Sequence, residues 1–438
     1  MTARTKAGAD GGARAEAVPV LDTDALIDDP GIRIIVCCGS GGVGKTTTAA
    51  ALGVRAAERG RKVVVLTIDP ARRLAQSMGI DSLDNVPRRV KGIDGSGELH
   101  AMMLDMKRTF DEIVEAHADG ERARAILENP FYQSLSAGFA GTQEYMAMEK
   151  LGQLRARDEW DLIVVDTPPS RSALDFLDAP KRLGSFLDGK FIKLLMAPAK
   201  MGGRAGMKFL NVGMSMMTGT LGKLLGGQFL RDVQTFVAAM DTMFGGFRTR
   251  ADATYKLLQA PGTAFLVVAT PERDALREAA YFVERLAAED MPLAGLVLNR
   301  VHGSGAARLS AEQALAGAEK LEAENLETDG IVDQAAGKAG LREPADSPTD
   351  GHALPESDPS PGTAAVTTEE LTAGLLRLHA ERMQVVAREQ DTRDRFTALH
   401  PEVAVTAVAA LPGDVHDLSG LRAIGDRLAT GSAPDGGA

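Results

Sequence analysis

Residues 39–46 read Gly39-Ser40-Gly41-Gly42-Val43-Gly44-Lys45-Thr46, a glycine-rich loop closed by a lysine and a hydroxyl. The spacing GxxxxGK[ST] suits a phosphate chain. Glycines let backbone N–H groups turn inward around an anion, and a helix beginning at the end of the loop adds a favourable dipole. The loop follows the apolar run Ile32–Cys38 and precedes the helix-prone run Thr47–Arg59. In that context the glycines are expected to cradle phosphates, Lys45 to reach the β- and γ-phosphates, and the Thr46 hydroxyl to ligate Mg²⁺.

Two carboxylates extend the pattern. The run Leu162-Ile-Val-Val-Asp166 is an apolar strand ending in Asp, as expected of the carboxylate that holds Mg²⁺ through water in such sites. The run Val63-Val-Val-Leu-Thr-Ile-Asp69-Pro70 puts a second carboxylate at a strand terminus. The residues alone leave Asp69 open between a group that orients or deprotonates an attacking water and a cap or turn residue before Pro70.

The elements that must position these groups are short, continuous apolar runs rich in β-branched residues: Ile32–Cys38, Lys62–Ile68, Leu162–Val165, Ala264–Ala269, Leu293–Leu298 and Val403–Ala409. Continuous rather than alternating runs, most of them followed by a helix-like segment, predict an α/β fold with a doubly wound, mostly parallel sheet. Ligands then sit at the carboxyl ends of the strands, where the polar residues above fall. Residues 1–22 and about 328–368 read as disordered, the latter a Pro-, Gly-, Ser- and Asp-rich insertion within a single domain spanning 23–438. Residues of about 110–154 and 183–250 read as an inserted helical subdomain.

Composition limits the function. A formal net charge of −11 opposes a broad nucleic-acid footprint. The only cysteines, Cys37 and Cys38, are adjacent and supply no CxxC spacing for zinc or an iron–sulfur cluster. The N-terminus lacks the apolar stretch of a signal peptide, and no uninterrupted apolar window of spanning length occurs. A cytoplasmic protein is expected, with peripheral membrane contact left open. His302, His379 and His416 show no metal-ligand organisation. The helix predicted over Glu369–Gln390 carries Leu371, Leu375, Leu378 and Val385 on one face, expected to pack inward.

The segments GSGGVGKTT, TIDPARRLAQSMG, VVDTPPSRSALDFLDAP, ATPERDALREAAYFVERL and GLVLNR, in this order, resemble the ArsA-type ATPases. That family includes arsenical-pump ATPases and the targeting ATPases for tail-anchored membrane proteins, and the likeness is strongest to the actinobacterial ArsA-like paralogues. The resemblance implies a P-loop fold of the deviant Walker A type and a nucleotide-dependent dimer with two facing sites. It implies that Gly41 to Thr47, including Thr47 itself, hold the phosphates of ATP, and that Asp69 in the first switch activates water. Asp166, in the second switch, would sense Mg²⁺ and the γ-phosphate. It further implies that Asn299 contacts adenine and that Pro412 lies on the loop wrapping the base. Asn299 is followed by Arg300-Val301-His302 rather than completing the NKxD run of guanine-specific relatives, which favours ATP.

Departures matter too. Family members usually carry a lysine just before the GGVGKT run, reaching into the partner's site; here that residue is Ser40. A heterodimer with a Lys-bearing paralogous ArsA-like ATPase is therefore expected, alongside the plainer reading of a slow site. The zinc clasp of the targeting branch and the thiol site of the pump branch are not expected. Eight of the 17 methionines lie between Met196 and Met243, a composition suited to an adaptable groove for a membrane-protein client, or to an ordinary helical core. An ATP-hydrolysing switch, a regulatory nucleotide-binding subunit and a partitioning-type ATPase remain the functional alternatives.

Overall fold

The structure, a computed structural model, describes residues 19–68, 73–80, 83–130, 132–133, 142–168, 249–336 and 367–431. Asp69, residues 1–18, the methionine-rich stretch and most of the linker lie outside the described residues. The chain divides into two units, Met1–Arg300 with Thr392–Ser432, and Val301–Asp391 with Ala433–Ala438.

The first unit is built on a sheet of eight strands: β1 (Ile34–Cys38), β2 (Lys62–Thr67), β3 (Arg88–Arg89), β4 (Glu98–Met103), β5 (Leu162–Asp166), β6 (Thr263–Ala269), β7 (Leu293–Val301) and β8 (Val405–Ala409). Their order is β3-β4-β2-β5-β1-β6-β7-β8. The β1/β5, β1/β6, β2/β4, β2/β5 and β6/β7 pairs are parallel, and β3 runs antiparallel to β4. This is the α/β, mostly parallel architecture expected of a P-loop NTPase. Every residue of β1, β5 and β6 is buried, because helices cover both faces of a parallel sheet and leave no solvated side. Strand β4 was not expected: its sequence ELHAMM carries Glu98 and His100 at half-buried positions, so it lacks the continuous apolar run of its neighbours. Strand β7 continues past Leu298 to Val301 and thereby includes Asn299.

The helices among the described residues include α1 (Thr23–Asp28), α2 (Lys45–Glu58), α3 (Arg73–Ser77), α4 (Met106–His117), α5 (Gly120–Leu127), α6 (Thr142–Ala156), α7 (Arg273–Ala288), α8 (Ala311–Ala336), α9 (Thr368–Leu399) and α10 (Leu418–Thr430). Helix α2 is alanine-rich and buried along most of its length. Its small side chains allow close approach to the sheet: a Cβ built on Gly53 would lie 2.5 Å from Val65 Cγ2. Leu52 and Val54 are fully buried, and burial of each contributes about 1.5–3 kcal/mol. Arg55 of α2 donates to Asp24 of α1, with Nη2 2.8 Å from Oδ2, and to Asp426 of α10 at 2.8 Å, joining three helices. Helix α10 starts on an Asp417 cap that accepts from the Gly420 N–H and ends on Gly431 at φ 59°, a left-handed stop that glycine adopts without strain.

Within residues 106–259 the described helices are pinned by partly buried ion pairs. Lys150 of α6, almost wholly buried, reaches Glu112 of α4 at 3.0 Å. Arg250 holds Glu149 of α6 at 2.9 Å.

In the second unit, α8 and the first part of α9 pair through small residues. Ala314, Ala318, Ala373 and Ala380 are buried, and a Cβ on Gly317 would meet Leu376 at 3.3 Å. Arg377 forks onto Glu322 of α8 at 2.7 and 2.6 Å. The leucines expected to pack do not: Leu371, Leu375 and Leu378 are 58–66% exposed. The buried face is carried by alanines instead, and the leucine that reaches Gly317 is Leu376. His302 Nδ1 lies 2.6 Å from Glu389, and His379 bridges Ser304 and the Leu309 carbonyl; both histidines tie the chain after β7 to α9.

Candidate nucleotide site

Strand β1 lies between β5 and β6, and the chain turns from its carboxyl end directly into α2. The turn needs its glycines. Gly39, Gly42 and Gly44 have φ of 149°, 79° and 93°, values that side-chain-bearing residues rarely adopt. A Cβ on Gly39 would lie 2.1 Å from the Val268 carbonyl oxygen, and one on Gly44 2.2 Å from Asn299 Nδ2. Backbone of the loop therefore approaches β6 and β7 more closely than any larger residue allows. Gly41 and Gly42 face solvent while Val43 is buried, and Thr47 is half-buried on the first turn of α2.

Lys45 is 5% exposed. Its Nζ donates to the Ser40 carbonyl at 2.6 Å, so Ser40 serves this loop through its backbone whatever its side chain. Thr46 Oγ1 donates to Asp166 Oδ2 at 2.7 Å, and Thr67 Oγ1 donates to the same oxygen at 2.9 Å. Asp166 is fully buried. Two hydroxyl donors and the strand register, which pairs Thr67 with Asp166, hold its carboxylate beside the start of α2. Thr167 continues the pattern, its Oγ1 donating to the Cys37 carbonyl at 2.9 Å.

Asn299 lies near the end of β7, 8% exposed, and its Nδ2 donates to the Val43 carbonyl at 2.8 Å while its Oδ1 accepts from the Arg300 N–H. The residue expected against the base thus also braces the phosphate loop. Pro412 lies exposed on the loop between β8 and α10. The loop, Asp166, Asn299 and Pro412 all fall at or near carboxyl ends of strands, the edge where α/β sheets bind ligands. Asp69 is outside the described residues; the last described residue before it, Ile68, donates its N–H to the Asp166 carbonyl at 3.0 Å and accepts from Gln143 Nε2 of α6 at 2.9 Å.

Thr67, Thr167 and Gln143 were not singled out in the sequence. Thr67 carried a usable signal, a hydroxyl among the apolar residues of β2; Gln143 carried none. Both cysteines are buried in β1. Burial, then the nearby Asp166 charge, pushes the Cys37 thiol well above its usual range, and burial raises Cys38 to about 12. Among the described residues no helix is long and apolar enough to cross a membrane.

Comparison with known proteins identifies the family. A family model described as anion-transporting ATPase matches residues 32–324, a span that includes the glycine loop, Asp166 and Asn299. The chain is 30% identical over 158 residues to "ATPase GET3" of Malassezia globosa, covering 36% of this chain and 45% of that protein. It is 25% identical over 279 residues to "ATPase GET3" of Podospora anserina, covering 63% of this chain and 75% of the relative. It is also 25% identical over 284 residues to "ATPase ASNA1 homolog 2" of Paramecium tetraurelia, covering 63% and 78%. The chain spans less than half of the first of these relatives and about three quarters of the other two. With more than half its length matched, the chain belongs to the ArsA-type anion-transporting ATPase family.

Proposed function

We propose that this chain binds and hydrolyses ATP with Mg²⁺, using Gly41, Gly42, Val43, Gly44, Lys45, Thr46 and Thr47 for the phosphates. The observation that carries the reading is the Thr46–Asp166 hydrogen bond under a left-handed glycine loop. A hydroxyl and a carboxylate held together there fit Mg²⁺, with Thr46 as direct ligand and Asp166 acting through water. The ion supplies charge neutralisation on the phosphates. Lys45 is already directed along the loop and can exchange the Ser40 carbonyl for phosphate oxygens. Asp69 orients the attacking water and accepts its proton as the water oxygen bonds to the γ-phosphorus. The bond from that phosphorus to the β–γ bridging oxygen breaks, and ADP leaves with the electron pair. Asn299 and the Pro412 loop take the adenine.

The nucleotide state of this site is read as opening and closing a dimer that acts on a membrane-associated client or transport partner. Both the family membership and the relatives' printed names, ATPase GET3 and ATPase ASNA1 homolog 2, support an ATPase; the client is our reading. Mg²⁺-dependent phosphate release by the purified chain tests the core of it. Turnover that survives both Lys45→Ala and Asp69→Asn would refute it.

Ser40 favours a second reading. A cation near the transferred phosphoryl group stabilises its developing charge, and where an arginine supplies it the gain is about 10³- to 10⁵-fold. With serine there, this chain acts as one half of a heterodimer whose Lys-bearing paralogue completes the site, or as a regulatory nucleotide-binding subunit. Absence of any complex on mixing the two purified proteins, with and without ATP, would eliminate the heterodimer.

A further inference from the structure

Strand β2 ends at Thr67, and the chain then runs through Ile68 to Asp69. Ile68 is 1% exposed, so both its backbone polar groups need partners. Its N–H still has the sheet, donating to the Asp166 carbonyl at 3.0 Å. Its carbonyl lies past the β2/β5 ladder, which ends at the Thr67–Asp166 pair, and accepts from a side chain instead, the Gln143 amide at 2.9 Å. Because the acceptor is a carbonyl oxygen, the amide must present its nitrogen, which fixes the orientation of the group. The Ile68 carbonyl belongs to the peptide group that leads into Asp69, and peptide groups are planar. Holding that oxygen sets the direction in which the chain leaves the strand.

Gln143 is anchored in turn. It occupies the start of α6, whose Met146, Ala147, Met148, Leu151 and Leu154 are buried. The same helix is tied to α4 through Lys150–Glu112 and to Arg250 through Glu149. A shift of α6 would therefore pull on the peptide before Asp69.

We propose that Gln143 is a positioning residue for the first switch: its amide aims the chain leaving β2, and so makes hydrolysis depend on where α6 sits. This rests on the reading of Asp69 as the water-activating carboxylate. It adds a route by which helices outside the phosphate loop set the rate without altering nucleotide affinity.

The test uses the full chain with Gln143→Met, which keeps the reach of the side chain but removes the donor, and Gln143→Ala as a second variant. Hydrogen exchange of peptides covering 66–72 is expected to rise severalfold in both variants. Turnover should fall by about ten- to hundredfold, the scale of a small misplacement of a reacting group, with Mg-ATP affinity within twofold of the parent. In an Asp69→Asn background, Gln143→Met should cause no further loss. Unchanged exchange at 66–72 overturns the proposal, whether or not the chain turns over by itself. So does faster exchange with undiminished turnover, or a lower ATP affinity that matches the fall in rate. If instead Asp69→Asn keeps full turnover, the reading of Asp69 fails, while the exchange data still judge Gln143.

Discussion

Thr46 and Asp166 belong to elements far apart in sequence, the first turn of α2 and the last residue of β5, yet their side chains meet at 2.7 Å. Asp166 is fully buried and also accepts from Thr67. A hydrogen bond to a buried charged group contributes about 1.5–3 kcal/mol. Thr67→Val keeps the shape of the strand residue and deletes one donor. It should lower unfolding free energy by about that amount, read from the urea midpoint, and weaken Mg²⁺ dependence less than Thr46→Val, which removes a proposed ligand as well.

The close approach of Gly44 to Asn299 makes a double-mutant test possible. Gly44→Ala places a Cβ 2.2 Å from Asn299 Nδ2 at φ 93°. Strain at such a backbone conformation costs about 1–3 kcal/mol by itself, and the clash adds to it. Asn299→Ala removes the clash but also the bond to Val43. The combined variant should therefore be more stable than the sum of the two single losses, by more than the ~0.5 kcal/mol within which independent sites add. Thermal unfolding of the four proteins decides it; additive losses would mean that the two residues do not press on each other.

Both thiols are predicted to be silent in the folded protein. Burial raises Cys37 well above the ordinary thiol range and Cys38 to about 12, and only the thiolate reacts. A thiol-specific chromogenic disulfide reagent at pH 8 should label neither residue in the native chain and both in denaturant. Rapid native labelling would contradict the placement of β1 in the middle of the sheet.

Asp24 gives a pH signature. Its carboxyl lies below the ordinary 3.8, chiefly through the hydrogen bond from Arg55, against which burial acts in the opposite direction. A depressed carboxyl stabilises the fold fully above its unfolded value and loses that contribution as pH falls through the folded one. Unfolding curves for parent and Asp24→Asn should thus differ by about 1–3 kcal/mol at pH 7 and converge as pH drops below about 4. A gap that does not narrow as pH falls below about 4 would assign the effect to packing rather than charge.

Ser40 can be tested by restoring a cation. Its backbone carbonyl, rather than its side chain, receives Lys45, so Ser40→Lys leaves that bond available. Under the proposed dimer, turnover of the chain alone should rise by at least about tenfold, with about 10³-fold as the scale of a fully effective cation. A rate unchanged from the parent, in a variant shown to dimerise with ATP, would end the argument from this position.

Much of this arrangement was legible in the sequence, for a physical reason. Strands covered on both faces by helices must be apolar at successive positions, so β1, β2, β5 and β6 stand out as unbroken runs, and the polar residues at their ends mark the ligand edge. The glycine loop is legible because its φ values and its approach to Val268 and Asn299 leave no alternative residue. Strand β4 was hidden by half-buried Glu98 and His100. On α9, hydrophobicity pointed to Leu371, Leu375 and Leu378, whereas the buried face is carried by Ala373 and Ala380. Gln143 and Thr67 were invisible or faint because their work depends on which strand end they meet, and that is a property of topology, not of local composition.

The burial of Asp166 has a further consequence. Its carboxylate leaves water when the sheet forms, and two hydroxyls orient it in the same event. Desolvation and alignment of that charge are thus completed by folding, before any ligand arrives. Under the proposed function, an arriving Mg-nucleotide would meet a carboxylate already fixed, with no reorganisation of that group left to offset binding. Weakening β5 should loosen metal binding even where no ligating atom is changed.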